Sequence, residues 1–342
     1  MSTATARSGF AVATAVFVLA IVGALAMGTL FAATHEMRTG TGAMHQARAV
    51  MAADHGVEQT IAGWDRRWNG AFARGFGRTS SQTIPEAADV TVSVTRLADE
   101  LFLVTSIARA GPARRQVSRV VRLDAADPSL MSALAAGHAL DVSSASAIDG
   151  ADHVPHAWDC PAAGGAVPTF AVADTSALVH FGHFDWNQLI VGATTHATHL
   201  TVEAAPQWAG EECDTTDPDN WGEPLKSNGG GCTSYYPVIH SAGDLIIHGG
   251  RGQGLLLVDG DLTVQGGFQF FGTVLVRGAL RGGPGGAHIT GAVSVAAHGT
   301  TSLVLDGIVI DFSRCAARKA LLTLALPVPI AERSWSEGFD QG

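Results

Sequence analysis

Charge is scarce in this sequence. Charged residues make up 15% of its 342, lysine occurs only at Lys226 and Lys319, and acids outnumber bases to give a net charge of −10. A general nucleic-acid binder neutralises phosphates with clustered Lys and Arg, so scattered arginines without a basic stripe exclude that class. Cysteine is also sparse: Cys160, Cys213, Cys232 and Cys315, with no Cys-x-x-Cys pair. There is no Gly-x-Ser-x-Gly elbow, and no glycine-rich loop is followed by the Lys-Ser or Lys-Thr that holds a phosphate. Abundance lies elsewhere, in 46% hydrophobic residues and 41 glycines, a composition too apolar for a disordered chain.

The apolar content is concentrated first at Phe10 to Ala33, an uncharged run whose only hydroxyls are Thr14 and Thr29. As a helix it reaches about 36 Å, enough to cross a hydrocarbon core of about 30 Å. It is longer than the apolar region of a cleaved secretory signal, about 7 to 15 residues, and it runs on into a helix-compatible segment, 34–68. In that segment Met37, Met44, Ala47, Val50, Met51, Val57, Ile61 and Trp64 recur at three- and four-residue steps, which predicts one apolar face carrying a globular head. Asp54, Glu58, Asp65 and Arg66 fall on the other face, and Gly40 and Gly42 suggest a kink just outside the bilayer. Arg7 before the run, against Glu36 and Arg38 after it, places the N-terminus in the cytoplasm and the bulk of the chain beyond the inner membrane.

Arg7-Ser8-Gly9-Phe10, the run behind them and the amphipathic continuation through Ala47 to Asp54 resemble the type IV pilin superfamily, in particular minor pilins of the PilX type. The resemblance covers about the first seventy residues. It implies a leader over residues 1–9, cut by a prepilin peptidase between Gly9 and Phe10, and methylation of the new N-terminal Phe10. It implies as partners other pilins, inner-membrane assembly proteins and membrane lipid. Major pilins carry a glutamate at the fifth mature position; Thr14 stands there, which favours a minor component over a shaft-building one.

Beyond the helix, the segment from Asn69 to Glu86 lacks a period and reads as a connection. Val90 to Leu97, Leu101 to Ala108 and Gln116 to Leu123 alternate and are rich in β-branched residues, predicting a small antiparallel sheet over 86–125. From 130 to 326 the chain is expected to form a glycine-rich β-solenoid head with a C-terminal helix, and alternation in Ala139 to Ile148 suggests where the new β architecture opens. Asp185 is a candidate cap for a short helix through about Val191. Gly243 to Gly307 holds 17 of the 41 glycines and an internal repeat: Gly243 to Gly250 recurs seventeen residues on as Gly260 to Gly267, and Leu257 to Leu262 recurs eighteen residues on as Leu275 to Leu280. Short strands between glycine corners at such a spacing predict a β-solenoid. Ala316 to Leu322 has helix-forming composition suited to cover its end, with Pro327 and Pro329 as the stop. The fold class expected is therefore α+β.

Four cysteines beyond a membrane segment indicate two disulfides and an oxidising compartment; of three possible pairings, Cys213 with Cys232 and Cys160 with Cys315 is preferred. His180 with His183, and His196 with His199, are spaced for one side of a helical turn, yet no carboxylate or cysteine at ligand spacing accompanies them. Asp214, Asp217 and Asp219 cluster hard oxygens as calcium requires, without an EF-hand's glycine and distant glutamate. Asp244, Asp259, Asp261 and Asp306 mark the repeat and suggest, as an alternative, a membrane-anchored solenoid that binds or modifies cell-surface polysaccharide. A solenoid scaffold associating end to end is a third reading. The favoured expectation is a non-catalytic minor pilin-like component, without cofactor or metal, acting in pilus assembly and surface contact.

Overall fold

The computed structural model describes residues 8–72, 74–84, 88–124, 132–156, 158–161, 163–172, 180–181, 184–191, 193, 195–196, 201–225, 231–296, 302–330 and 335–338. It is an α+β architecture of a long helix, an antiparallel sheet and a solenoid, with a short helix at the joint between the last two.

The long helix, α1, runs unbroken over Ser8–Ala62. At Gly40 and Gly42, where a kink is expected, the helix is not interrupted. Each glycine costs a helix only about 1 kcal/mol, and the long flanking runs carry the helix through. Neighbouring hydroxyls are satisfied inside it: Thr39 donates to the His35 carbonyl at 2.6 Å and Thr41 to that of Met37. The helix ends six residues short of Trp68, and a further turn, α2 (Trp68–Ala71), follows.

Against the C-terminal part of α1 lies a six-stranded antiparallel sheet whose first strands are β1 (Gly77–Ile84), β2 (Ala88–Arg96), β3 (Leu101–Ala110) and β4 (Ala113–Asp124). Within the stretch read as a connection, β1 forms an edge strand; its sequence, GRTSSQTI, lacks the apolar alternation of a half-buried strand. The other edge is chain-terminal. Leu326–Pro329 and Trp335–Gly338 both return to pair with β4. Pro327 and Pro329 thus sit in an outer strand, where a missing N–H is tolerated, rather than acting as a helix stop.

The periodicity reading holds toward and just past the end of α1, where Val57, Ile61 and Trp64 pack on the sheet core, and fails before it. The buried residues are Ala49, Ala52, Ala53 and Val57, packed on Val90, Val92, Val94, Phe102, Val104 and Val121. Met37, Met44 and Met51 are exposed. Close backbone approach explains the choice of small residues: a Cβ on Gly56 would stand 2.6 Å from Ser106 Oγ and 2.8 Å from Val90 Cγ1. Asp54 and Glu58 are not left to solvent alone, since Arg119 of β4 reaches both, at 3.2 Å for Asp54.

The solenoid stacks parallel strands in register. Leu245 pairs with Leu262 and Leu257 with Leu275, the same offsets as the sequence repeat. Three ladders result. One runs through Gly252, Phe270, Ile289, Ile310 and Ile148. A second runs through Ile239, Leu256, Val274, Val293, Leu134 and Phe170. The third begins with Val202, Ile247, Val264 and Gly282. Nearly all these inward residues are fully buried and form one continuous core. Between the first and second ladders the glycines Gly254, Gly272 and Gly291 stack upon one another. Gly272 has φ +148°, and a Cβ there would lie 2.0 Å from the Gly254 carbonyl oxygen.

Stacking order is not chain order. Strands Leu134–Ala136, Ala139–Val142 and Ala147–Asp149 precede the repeat in sequence but add on after its last coil, pairing with residues 293–295, 302–305 and 309–311. They, not a helix, continue the far end of the solenoid. The helix α4 (Arg314–Leu322), capped by Ser313, which accepts from the Ala316 N–H at 3.3 Å, lies along the side instead. Its Ala320 and the following Leu324 join Val238, Leu255, Leu257 and Leu275 on the outer surface of the second ladder. A capping box starts α3 (Trp186–Val191), which covers the same surface: Asp185 Oδ1 accepts from the Gln188 N–H at 2.8 Å and Gln188 Oε1 from the Asp185 N–H at 3.0 Å.

The glycine column carries a prediction. Gly272→Ala forces a methyl group into a stacked carbonyl and is expected to destabilise the head by about 2–4 kcal/mol or prevent its folding. Thermal unfolding followed by circular dichroism tests this; a melting curve like that of the parent would refute the stacking.

Candidate functional site

Three regions bear on function: the helix start, the exposed side of α1, and the stapled ends of the solenoid. Ser8, Gly9 and Phe10 open α1, and the Phe10 side chain is 78% exposed. Thr14, one turn on, donates its hydroxyl to the Phe10 carbonyl at 2.9 Å. A hydroxyl folded back onto the helix adds no charge to the apolar run, whereas a carboxylate in such surroundings would need a partner. The helix that follows is long and apolar enough to cross a membrane, and no part of its most apolar stretch is buried inside the molecule.

Opposite the sheet, α1 shows a stripe at intervals of seven: Leu30, Met37, Met44 and Met51, all exposed. Ala33, Gly40 and Ala47, also exposed, follow the first three at a spacing of three. This is the a/d pattern of a helix–helix seam, with small residues permitting close approach and flexible methionines filling the gaps. The spacing of seven is visible in the sequence, but periodicity does not say what an apolar face meets, and here Met37, Met44 and Met51 lie away from the head.

The structure contains two disulfides, Cys213–Cys232 and Cys160–Cys315. The first staples the loop that covers the near end of the solenoid, where Trp221 lies on Gly252 and edge-on to Phe268. In the same loop Asn220 Oδ1 accepts from the Gly222 N–H at 2.9 Å, and its amide donates to the Asp214 carbonyl at 2.7 Å. The second disulfide ties the segment behind the closing strands to the first turn of α4. Beside it, Asp152 accepts from the Arg314 N–H at 2.8 Å and from the Gly164 N–H at 2.6 Å.

The acidic residues are occupied locally. Asp214 Oδ1 accepts from Thr216, both N–H and hydroxyl, and from the Asp217 N–H, while Asp217 Oδ1 accepts from the Asp219 N–H. These are turn bonds, and the three carboxylates do not form a metal-ligand group among the described residues. Along the repeat, Asp244 Oδ1 accepts from the Asp261 N–H and Asp261 Oδ1 from the Ala279 N–H, each at 2.8 Å, so each aspartate fixes the next coil. Asp306 accepts from the Ser143 hydroxyl of the closing segment at 2.7 Å. Asp259 anchors α3, accepting from Trp186 Nε1 at 2.7 Å and facing His240 Nε2 at 2.9 Å and Arg277 at 3.4 Å. Burial pushes its carboxyl up, but the bonds from His240 and Trp186 with the nearby cations outweigh this and hold it below the usual carboxylate range.

The histidine pairs do not form the helical turn their spacing suggested. His180 and His196 lie in short strands, because their neighbours pair with Phe184–Asp185 and with Ile239–His240; His183 and His199 fall outside the described residues.

No family model matches this chain, and no curated protein does. Among solved structures, the competence-associated pilin ComZ from Thermus thermophilus is similar at a TM-score of 0.25 and 11% identity, over 86% of this chain and 97% of that one.

The second staple generates a test. Cys160→Ser leaves the closing strands held by three short ladders and a few hydrogen bonds such as those of Asp152 and Ser143. It is expected to cost about 2–5 kcal/mol, read as a lower urea midpoint and as faster proteolysis between residues 150 and 170. Unchanged midpoint and cleavage would refute the clasp.

Proposed function

We propose that this chain is a PilX-like minor pilin, a non-catalytic subunit of a type IV pilus or related pseudopilus that takes part in assembly and in surface contact. The observation that carries the reading is α1 itself: one unbroken helix of 55 residues, opening at Gly9-Phe10, uncharged to Ala33, with its outer part laid on an antiparallel sheet. A prepilin peptidase releases residues 1–9; Phe10 becomes the methylated N-terminus; Phe10 to Ala33 anchors the subunit in the inner membrane with the head on the periplasmic side.

The exposed seam of Leu30, Met37, Met44 and Met51 supports the same reading. A lone membrane anchor has no use for an apolar stripe that continues two turns and more past the bilayer on the side away from its head, whereas a subunit entering a filament packs that stripe on neighbouring pilin helices. Thr14 in place of a glutamate fits a subunit added in few copies. The aspartates of the repeat, which prompted the polysaccharide alternative, are engaged in holding coils and α3 together, so the pilin reading is preferred.

Two measurements test it. Mass spectrometry of the mature protein is expected to find N-methylated Phe10 at the N-terminus; an intact Met1, or a cut at another bond, would sink the proposal. Met44→Lys places a charge in the seam and is expected to remove the subunit from sheared pili at least about tenfold while the head keeps its melting temperature. Normal incorporation would show that the seam is not an interface.

A further inference from the structure

The first ladder carries an arrangement on its outer side that neither coil stacking nor the pilin reading uses. Asp311 and Asp149 are register partners on adjacent parallel strands, so two carboxylates stand side by side at the surface. Like charges directly opposite each other destabilise a sheet unless something neutralises them. Two histidines flank the pair. His288, from the preceding coil, places Nε2 2.7 Å from Asp311 Oδ2, and His153 places Nε2 2.8 Å from Asp149 Oδ2.

The loop bearing His153 is built, not free. The His153 N–H donates to the Phe312 carbonyl at 2.8 Å, fixing the loop to the same coil as Asp311, and Asp149 Oδ1 accepts from the Ala151 N–H at 2.9 Å. One ligand atom each of Asp149, His153 and Asp311 lies within 4.8 Å of the other two. Zinc with ligands at about 2.0–2.2 Å in a tetrahedron separates its donors by about 3.3–3.5 Å, so His153 and Asp149, 2.8 Å apart, must open by roughly 0.5 Å while Asp311 closes on them by up to roughly 1.5 Å. Small χ rotations of partly exposed side chains suffice for that.

We propose that Asp149, His153 and Asp311 bind a first-row divalent transition cation, zinc by preference, with His288 orienting Asp311 and water completing the coordination. Imidazole with carboxylate suits zinc and its neighbours, whereas calcium takes six to eight oxygens. Carboxylates that ligate a metal are themselves held by hydrogen bonds, which His288 supplies to Asp311. The ligands come from the last coil of the repeat and from the closing segment, two parts of the chain far apart in sequence. The ion therefore clasps the far end of the solenoid at the joint where Cys160–Cys315 also acts, and it does so independently of redox state.

Full-length protein in detergent micelles, stripped with chelator, provides the test, with Co2+ as the spectroscopic probe. One equivalent of Co2+ is expected to give visible ligand-field bands that Zn2+ abolishes by displacement. His153→Ala and Asp311→Asn are each expected to weaken uptake more than tenfold, and His288→Ala by about tenfold. His248→Ala, an exposed histidine elsewhere on the solenoid, is expected to change nothing. Zn2+ is also expected to protect His153 of the unsubstituted chain from diethyl pyrocarbonate, a reading that needs no variant to fold. No uptake by the parent, uptake unchanged in both ligand variants, an unprotected His153, or binding of Ca2+ in preference to Zn2+ would each overturn the proposal.

Discussion

Everything in the head depends on keeping the two open ends of a parallel stack from remaining open. A coil of parallel strands satisfies its N–H and C=O groups only through the coils above and below, so the first and last coils present unpaired edges that invite other chains. This protein closes each end with a different part of itself. At the near end the loop carrying Trp221 folds over Gly252 and Phe268 and is stapled by Cys213–Cys232. At the far end the strands between Leu134 and Asp149 add a further partial coil, followed by Phe170–Val172, and the segment is stapled by Cys160–Cys315. Both disulfides sit at these closures and neither in the repeat, where register and burial already suffice.

Closing the far end also decides where the rest of the chain can go. Because the solenoid needs no helix as a lid, α4 is free to lie along its side and to join two cores. Ala316, Ala317, Ala320 and Leu321 are buried on the solenoid side, while Leu322 and Ala325 belong to the sheet core under α1. Asn69, itself buried, fastens the joint by donating to the carbonyls of Leu322 at 2.8 Å and Ala325 at 2.9 Å, and it accepts from Trp64 Nε1 at 2.7 Å. The last strands then return to β4. The sheet is thus held on one side by α1 and at its edge by the chain leaving the solenoid, so a displacement of the head is passed to the spine through packed residues and not through a linker.

How much of this was legible follows from what each feature requires of the sequence. In-register stacking demands equal spacing of inward Leu and Val, so the repeat at Leu245 and Leu262 announced the solenoid. The strands β2 to β4 showed themselves because one face is buried and alternates. Hidden features had no such demand: β1 is a polar edge, and the closing strands, within the stretch expected to form the head, are three or four residues long with partners far along the chain, so their place in the stack was not legible. Asp149 and His153 stand four residues apart, but Asp311 joins them only through that closure, which no local spacing encodes. The methionine stripe was visible but misassigned, since an apolar period reports that a face is covered without naming the cover.

Residue size resolves what period alone does not. A helix laid on a sheet with its backbone close must offer small side chains, and Ala49, Ala52, Ala53 and Gly56 do so; Met44 or Met51 in their place would hold the sheet away and open voids around Phe102 and Val104. A helix awaiting another helix has the opposite need, because its partner's ridges vary and flexible thioethers adapt to them. Small residues toward β2 and β3, and Leu30, Met37, Met44 and Met51 on the far side, therefore divide α1 between a face packed inside the molecule and an apolar face left exposed. The end of the uncharged run at Ala33 does not interrupt the stripe, so α1 presents one continuous exposed apolar side from that run to the base of the head, and the heptad spacing keeps it on the side away from the sheet.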